Sequence, residues 1–264
     1  MATEEDDEIN TNILFILQEG LDTHQEEEQQ KQSHIGDASI SPPPPLDHRH
    51  HLNSINAMIV TRQLPSQGLS FQLWPAAFSF LSLLDRDPSP LLLPSSSSSL
   101  RILELGSGTG LVGIAAAAIL GAHVTLTDLP HVLPNLHFNA IANAEVVAAR
   151  GGSLAVRQLR WGVVEDIVEM ESAPVFDAII ASDVVYYDYL IEPLLETIRF
   201  FVKGEVGFLM AHLRRWKKRD AVFFRRAKKF FDVLMVHTDP PVTGSRTGVT
   251  IYRFTARRRS LEAS

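Results

Sequence analysis

The feature that most limits what this chain can fold into is the segment Leu100 to Gly110, where the apolar run Leu-Arg-Ile-Leu-Glu-Leu gives way to glycines at 106, 108 and 110. An apolar stretch so short and bounded by glycine reads as a buried strand, and the apolar residues Leu111 to Leu120 behind it read as a helix. Strand, glycine turn and helix in that order open a βαβ unit. The chain then keeps the rhythm. Further strands are predicted at 121–128, 154–159, 176–182 and 206–212, with helices at 131–143, 189–202 and 214–229. Two last strands, near 231–237 and 248–255, flank Asp239-Pro240-Pro241 and suit an antiparallel edge hairpin. The expectation is an α/β fold with a doubly wound, mostly parallel seven-stranded sheet covered by helices on both faces.

Ahead of this core, Leu52, Ile55, Met58, Val60 and Leu64 suggest a small N-terminal strand pair, and Pro75 suits the first turn of a helix over 76–84. Residues 86–99, with three prolines and five consecutive serines, read as a surface insertion. Residues 1–50 carry twelve acids against two bases, and the remainder is net +3, so the overall charge of −7 belongs to the N-terminal tail. The Glu, Gln and Pro content of that tail predicts disorder, apart from a short helix near 13–21. The domain is expected to run from 51 to 256 and the end from 257 to fray.

Composition excludes several chemistries. With no cysteine, the chain has no disulfide, thiolate metal site or cysteine nucleophile. No apolar run reaches the ~18–20 residues of a membrane span, and the first thirty residues hold acids where a leader would hold Arg or Lys. A monomeric, cytosolic or nuclear protein without membrane contact is expected. Asp47-His48-Arg49-His50-His51 offers imidazoles without a supporting scaffold, so no metal is assigned. The bases from Arg214 to Lys229 interleave with aromatics, yet Trp216, Phe223, Ala227 and Phe230 follow the spacing of a buried helix stripe. That makes the bases a solvated face and nucleic acid an unlikely ligand, while an acidic patch on a protein partner could dock there.

In a doubly wound sheet the ligand crevice lies at the carboxyl ends of the strands where their order reverses. Gly106, Ser107 and Gly108 would bring backbone close to a ligand there, with the N–H groups of the next helix behind them. Asp128, at the end of the second strand and 22 residues after Gly106, suits the vicinal hydroxyls of a ribose. Gly108, Gly110 and Gly113 also satisfy the dinucleotide spacing, so a nicotinamide cofactor competes. The glycine directly after the strand is Gly106, however, and Glu104 within the strand is awkward beside a pyrophosphate but useful beside the ammonium of methionine. S-adenosylmethionine is the favoured cofactor.

Ser182-Asp183-Val184-Val185-Tyr186-Tyr187 closes the fourth strand on the same rim. Asp183 and Tyr186 would then face the acceptor, Asp183 orienting it and Tyr186 supplying an aromatic wall and a hydroxyl. Trp74-Pro75-Ala76-Ala77, the glycine segment, Thr127-Asp128, Trp161-Gly162 and Asp183-Val184-Val185-Tyr186 together resemble the family-16 seven-β-strand protein methyltransferases. That group includes lysine methyltransferases of Hsp70 chaperones, of valosin-containing protein and of elongation factors. The resemblance covers roughly residues 50–256. It implies a class I Rossmann-like fold, S-adenosylmethionine lined by Trp74, Gly106, Ser107, Gly108, Asp128, Trp161 and Ser182, and acceptor roles for Asp183 and Tyr186. Transfer of methyl to a lysine of a protein substrate is the activity it implies. Alternatives are another nucleophile (a small-molecule amine, a protein N-terminus or a histidine) and a non-catalytic partner-binding protein that keeps the fold.

Overall fold

The computed structural model describes residues 46–89, 100–171, 175–241 and 247–257. The helix expected near 13–21, most of the 86–99 insertion and residues 258–264 lie outside them. An antiparallel pair, β1 (Leu46–Leu52) and β2 (Ala57–Gln63), precedes helix α1 (Pro75–Arg86). The main sheet comprises β3 (Arg101–Leu105), β4 (His123–Asp128), β5 (Ser153–Gln158), β6 (Ala178–Ser182), β7 (Gly207–Leu213), β8 (Phe231–Thr238) and β9 (Val249–Ala256). Between them run α2 (Leu111–Leu120), α3 (Leu133–Ala142), α4 (Ala144–Ala148), α5 (Val164–Glu171), α6 (Ile191–Phe201) and α7 (Lys217–Ala227).

The order across the sheet is β5-β4-β3-β6-β7-β9-β8, parallel except that β9 runs antiparallel to both neighbours. The chain winds outward from β3 to β5 and then returns to β6 on the other side of β3. The order therefore reverses between β3 and β6, and their carboxyl ends define the crevice.

Alternation along the strands divides the core. Ile102, Val124, Leu126, Ile180 and Leu209 face α1, α2 and α3, whereas Leu103, Leu105, Ile179, Phe208 and Met210 face α5, α6 and α7. Nine of the ten residues of α2 are buried, so it is an apolar helix enclosed on all sides rather than an amphipathic one. Gly113 lets α2 lie close on the sheet, since a Cβ there would stand 2.5 Å from Glu104 Oε2 and collide with Leu126. On the other face Phe254 of β9 packs among Phe208, Phe223 and Phe231, with ring centroids 5.2 to 6.2 Å away, and anchors the edge strands.

An asparagine ladder fixes the strand pair to this core. Asn135 and Asn139 of α3 and Asn143, its C-cap, recur every fourth residue along one side. Val60 N–H donates to Asn143 Oδ1 at 2.8 Å and Asn143 Nδ2 returns a bond to Val60 O at 2.7 Å. Arg62 N–H donates to Asn139 Oδ1 at 2.8 Å, and Asn139 Nδ2 reaches Thr109 O in the glycine turn at 2.8 Å. The buried amides satisfy a strand that has only one strand neighbour, and they connect it to the crevice.

The structure departs from the sequence expectations in four places. Strand β1 begins at Leu46, ahead of the boundary drawn at 50/51, because its His and Arg residues pair with β2 through the backbone. Helices α4 and α5 were not expected, being too short for a clear period. Helix α7 begins at Lys217, so Trp216 precedes it and is 44% exposed instead of joining the buried stripe with Phe223 and Ala227.

Candidate functional site

A cavity of about 720 Å³ opens along the carboxyl ends of β3, β4, β6 and β7. At one end lies the turn after β3. Ser107 N–H donates to Thr127 O at 2.9 Å and Ser107 Oγ accepts from Thr127 N–H at 3.0 Å, pinning the turn to β4. Gly106 adopts φ +62°, and a Cβ there would sit 2.9 Å from Trp161 Cζ2. Only glycine combines that conformation with that indole contact.

Asp128 closes this end. Its Oδ2 accepts from Gly108 N–H and its Oδ1 from Leu129 N–H, each at 2.7 Å. Burial pushes its pKa up against the pull of those two donors. A carboxylate has about four acceptor sites, so about two remain for the vicinal hydroxyls of a ribose. Trp161 is held from behind. The Arg160 guanidinium makes two bonds to Asp166, at 2.8 and 2.9 Å, and Gly162 N–H donates to Thr197 Oγ1 at 2.9 Å. Trp74 stands at the start of α1, its indole N–H donating to Leu69 O at 3.0 Å. It thereby holds the 69–73 turn over the cavity.

The other end is built from charge. Asp183 follows β6 with φ +54°, a left-handed conformation that costs a non-glycine residue about 1–2 kcal/mol. Its side chain is only 3% exposed, with Leu213 N–H on Oδ1 at 3.0 Å and Arg215 Nη2 on Oδ2 at 2.9 Å. Burial raises its pKa, but the contacts from His212, Arg215 and Leu213 outweigh burial and leave it below the ordinary aspartate value. Tyr186 packs edge-on to Trp161, with centroids 6.3 Å apart, and contacts Tyr187, which stacks on Tyr189. Burial foremost, with the Asp128 carboxylate adding to it, raises the Tyr186 pKa, so its hydroxyl stays a hydrogen-bond donor. Arg219 ties the loop by donating to Tyr186 O and the Asp188 carboxylate.

Trp74, Gly106, Ser107, Gly108, Asp128, Trp161, Ser182, Asp183 and Tyr186 all line this one cavity. Glu104 does not. It points from β3 beneath α2, 1% exposed, where burial raises its pKa to about 8 despite Ser107 and the Gly113 N–H, and its Oε2 has no hydrogen-bond partner. Strand alternation sends it to the helix side, so the glycine turn stands between it and the ligand space. Arg215, Trp216 and Arg219 also line the cavity; the sequence reading placed the two arginines on the helix exterior and Trp216 in its buried stripe. The signal that could have found them is their place directly after β7, on the same rim as Asp128 and Asp183.

A doubly wound sheet with a glycine turn at its reversal, and with Asp128, Asp183 and Tyr186 lining one cavity beside that turn, has the architecture of a class I methyltransferase. The lysine methyltransferase family model matches residues 54–230, and the chain belongs to that family. It is 34% identical over 168 residues to the protein-lysine methyltransferase METTL21E of Bos taurus, a match covering 64% of this chain and 55% of the relative. It is 30% identical over 195 residues to the protein N-lysine methyltransferase METTL21A of Danio rerio, covering 74% and 81%. The protein-lysine N-methyltransferase rrg1 of Schizosaccharomyces pombe is 38% identical over 108 residues, covering 40% and 36%. The chain thus spans little more than half the length of the METTL21E relative.

The cofactor is S-adenosylmethionine, and the cavity fits it on this chain's own terms. Asp128 has acceptor capacity to spare, and Gly106, by lacking a Cβ, lets the Trp161 ring close against the turn as a flat apolar wall of the cavity.

Proposed function

We propose that this chain is an S-adenosylmethionine-dependent protein-lysine N-methyltransferase. The observation that carries the reading is the single cavity that joins the Asp128 end to the Asp183 and Tyr186 end. Bound there, S-adenosylmethionine supplies an electrophilic methyl group to a nucleophile aligned with it. The chain's own residues have to bring that nucleophile in, orient it and admit it without its proton.

A lysine amine has a pKa of about 10.4, so baring its lone pair at pH 7 costs about 4–5 kcal/mol in water. Asp183 is suited to orienting it, because the hydrogen bonds from Leu213 and Arg215 leave about two of its roughly four acceptor sites open. Tyr186 and Tyr187 offer aromatic faces to the alkyl stem and cationic product. Proton loss to water before transfer suffices, since no side chain in the cavity is placed as a dedicated base.

A macromolecular acceptor is supported by the mouth, where Tyr187, Tyr189 and Trp216 are 43%, 56% and 44% exposed. Beside it, α7 presents Lys217, Lys218 and Arg225 to solvent, a face suited to an acidic surface on the substrate protein. The names of the relatives point the same way. The cysteine-free sequence agrees with work in a reducing compartment, which we take to be the cytosol or nucleus. The test is incubation of the protein with isotope-labelled S-adenosylmethionine and a cell lysate, followed by mass spectrometry of labelled peptides. Label on a lysine Nζ is the expected result; label on a histidine, a protein N-terminus or only small molecules would overturn the reading.

A further inference from the structure

Behind the acceptor end lies a buried ionic cluster that the reading above does not use. His212, from β7, is fully enclosed between two carboxylates. Its Nε2 is 3.0 Å from Oδ1 of Asp220, in the first turn of α7, and its Nδ1 faces Oδ1 of Asp183 across 3.6 Å, an ion-pair separation beyond hydrogen-bond reach that leaves Nδ1 with no hydrogen-bond partner. Asp220 is 0% exposed and its Oδ2 has no other partner. The Phe224 ring of α7 lies against the imidazole at 6.4 Å and Thr250 of β9 is its strand partner.

With a carboxylate oxygen opposite each ring nitrogen, only the imidazolium presents a donor on both sides; either neutral tautomer would aim a lone pair at an anion. Charge balance gives the same answer. Asp183 and Asp220 bring two negative charges to a buried site, Arg215 brings one positive charge, and the cluster is neutral only when His212 carries the second. The two carboxylates raise the His212 pKa against the opposing effect of burial.

We infer that His212 and Asp220 are positioning residues for the acceptor site: the imidazolium, with Arg215, cancels the charge of Asp183, so that Asp183 aims an incoming amine without holding it as an ammonium. The inference rests on the proposed lysine chemistry. An isolated carboxylate within ~4–6 Å of an amine favours its charged form and raises its pKa by about 1–3 units. Two cations behind the carboxylate remove most of that effect and leave its acceptor lone pair in place. Asp220 carries the orientation back into α7, which also supplies Arg219 to the Tyr186 loop.

Two measurements test this. In the full chain, without cofactor or substrate, ¹⁵N spectra of the His212 ring should show both nitrogens protonated at pH 7.5. A neutral tautomer at that pH would overturn the proposal. In turnover, His212→Gln should move the acidic limb of the kcat pH profile, which reports the bound amine, toward alkaline by on the order of one unit, with S-adenosylhomocysteine affinity kept within about threefold. Asp220→Asn, which leaves the imidazole facing Asp183 alone, should move it in the same direction by less. Lower turnover at every pH with an unmoved profile would reduce both residues to structural support and overturn the proposal. Should His212→Gln fail to fold, the ring spectra of the wild type and the Asp220→Asn profile still decide. A wild type with the imidazolium signature but no lysine methylation would sink the functional reading and not the charge state of the cluster.

Discussion

At the β3 and β4 end of the cavity, the ligand-facing groups are backbone N–H donors and one carboxylate that two of them hold. At the β6 and β7 end they are the side-chain charges of Asp183 and Arg215, with His212 and Asp220 buried behind them. The first end depends on local sequence, a glycine turn whose conformation no other residue type reproduces. The second depends on long-range assembly, and its central residue sits in a strained conformation that its ion pairs stabilise. A backbone-built end suits a cofactor of fixed shape, whereas a charge-built end can set the protonation of whatever nucleophile arrives.

If the two ends divide the work in this way, changes at each should leave separate signatures. The largest is expected from Asp183→Ala. Turnover should fall by about a hundredfold or more, as for loss of a positioned polar group, measured as label incorporation at saturating cofactor. A fall of only a few-fold would mean that the acceptor is aimed by something else. Next comes Gly106→Ala, which forces an alanine into φ +62° with its Cβ 2.9 Å from Trp161 Cζ2. The left-handed conformation alone costs about 1–2 kcal/mol of folding stability, which should lower the melting temperature by about 2–8 °C, and displacement of the Trp161 ring should weaken cofactor affinity measured by calorimetry.

Glu104→Gln sharpens the comparison from beneath the glycine turn. Burial holds the Glu104 carboxyl protonated to about pH 8, so the folded chain keeps a proton that the unfolded chain sheds near pH 4 to 5. Wild-type stability is therefore eroded as pH rises between those values. Glutamine imitates the protonated acid, and the variant should melt a few degrees higher (~2–4 °C) than wild type at pH 8 and at the same temperature near pH 4. An unchanged difference across that range would mean that Glu104 is ionised in the fold. The smallest effect is expected at the mouth. Lys217→Glu with Lys218→Glu should raise KM for a protein substrate several-fold at low salt, leave kcat alone, and lose its effect as salt increases.

How much of this the sequence could reveal follows the same division. Gly106, Gly108, Asp128 and the strand-helix rhythm are local signals, and the sheet with its reversal between β3 and β6 follows from them. Asp183 and Tyr186 were legible through position, at the end of the next strand across the crevice. The His212 cluster was not legible: His212 lies 29 residues after Asp183, and only the parallel register of β6 and β7 makes them neighbours. The asparagine ladder escaped for a related reason, since Asn135, Asn139 and Asn143 read as a polar helix face until β2 is laid against it. Glu104 shows the reverse case, in which the residue was noticed but strand alternation buries it beneath α2, outside the cavity lining.

The division of labour is tested most directly by calorimetric titration of S-adenosylhomocysteine into Asp128→Ala and Asp183→Ala side by side. Loss of a charged hydrogen-bond acceptor costs about 1.5–3 kcal/mol, so Asp128→Ala should bind on the order of ten to a hundredfold more weakly than wild type. Asp183→Ala should bind within about threefold of wild type. Equal weakening in both variants would contradict the account, because it would place Asp183 at the cofactor and leave the acceptor site elsewhere.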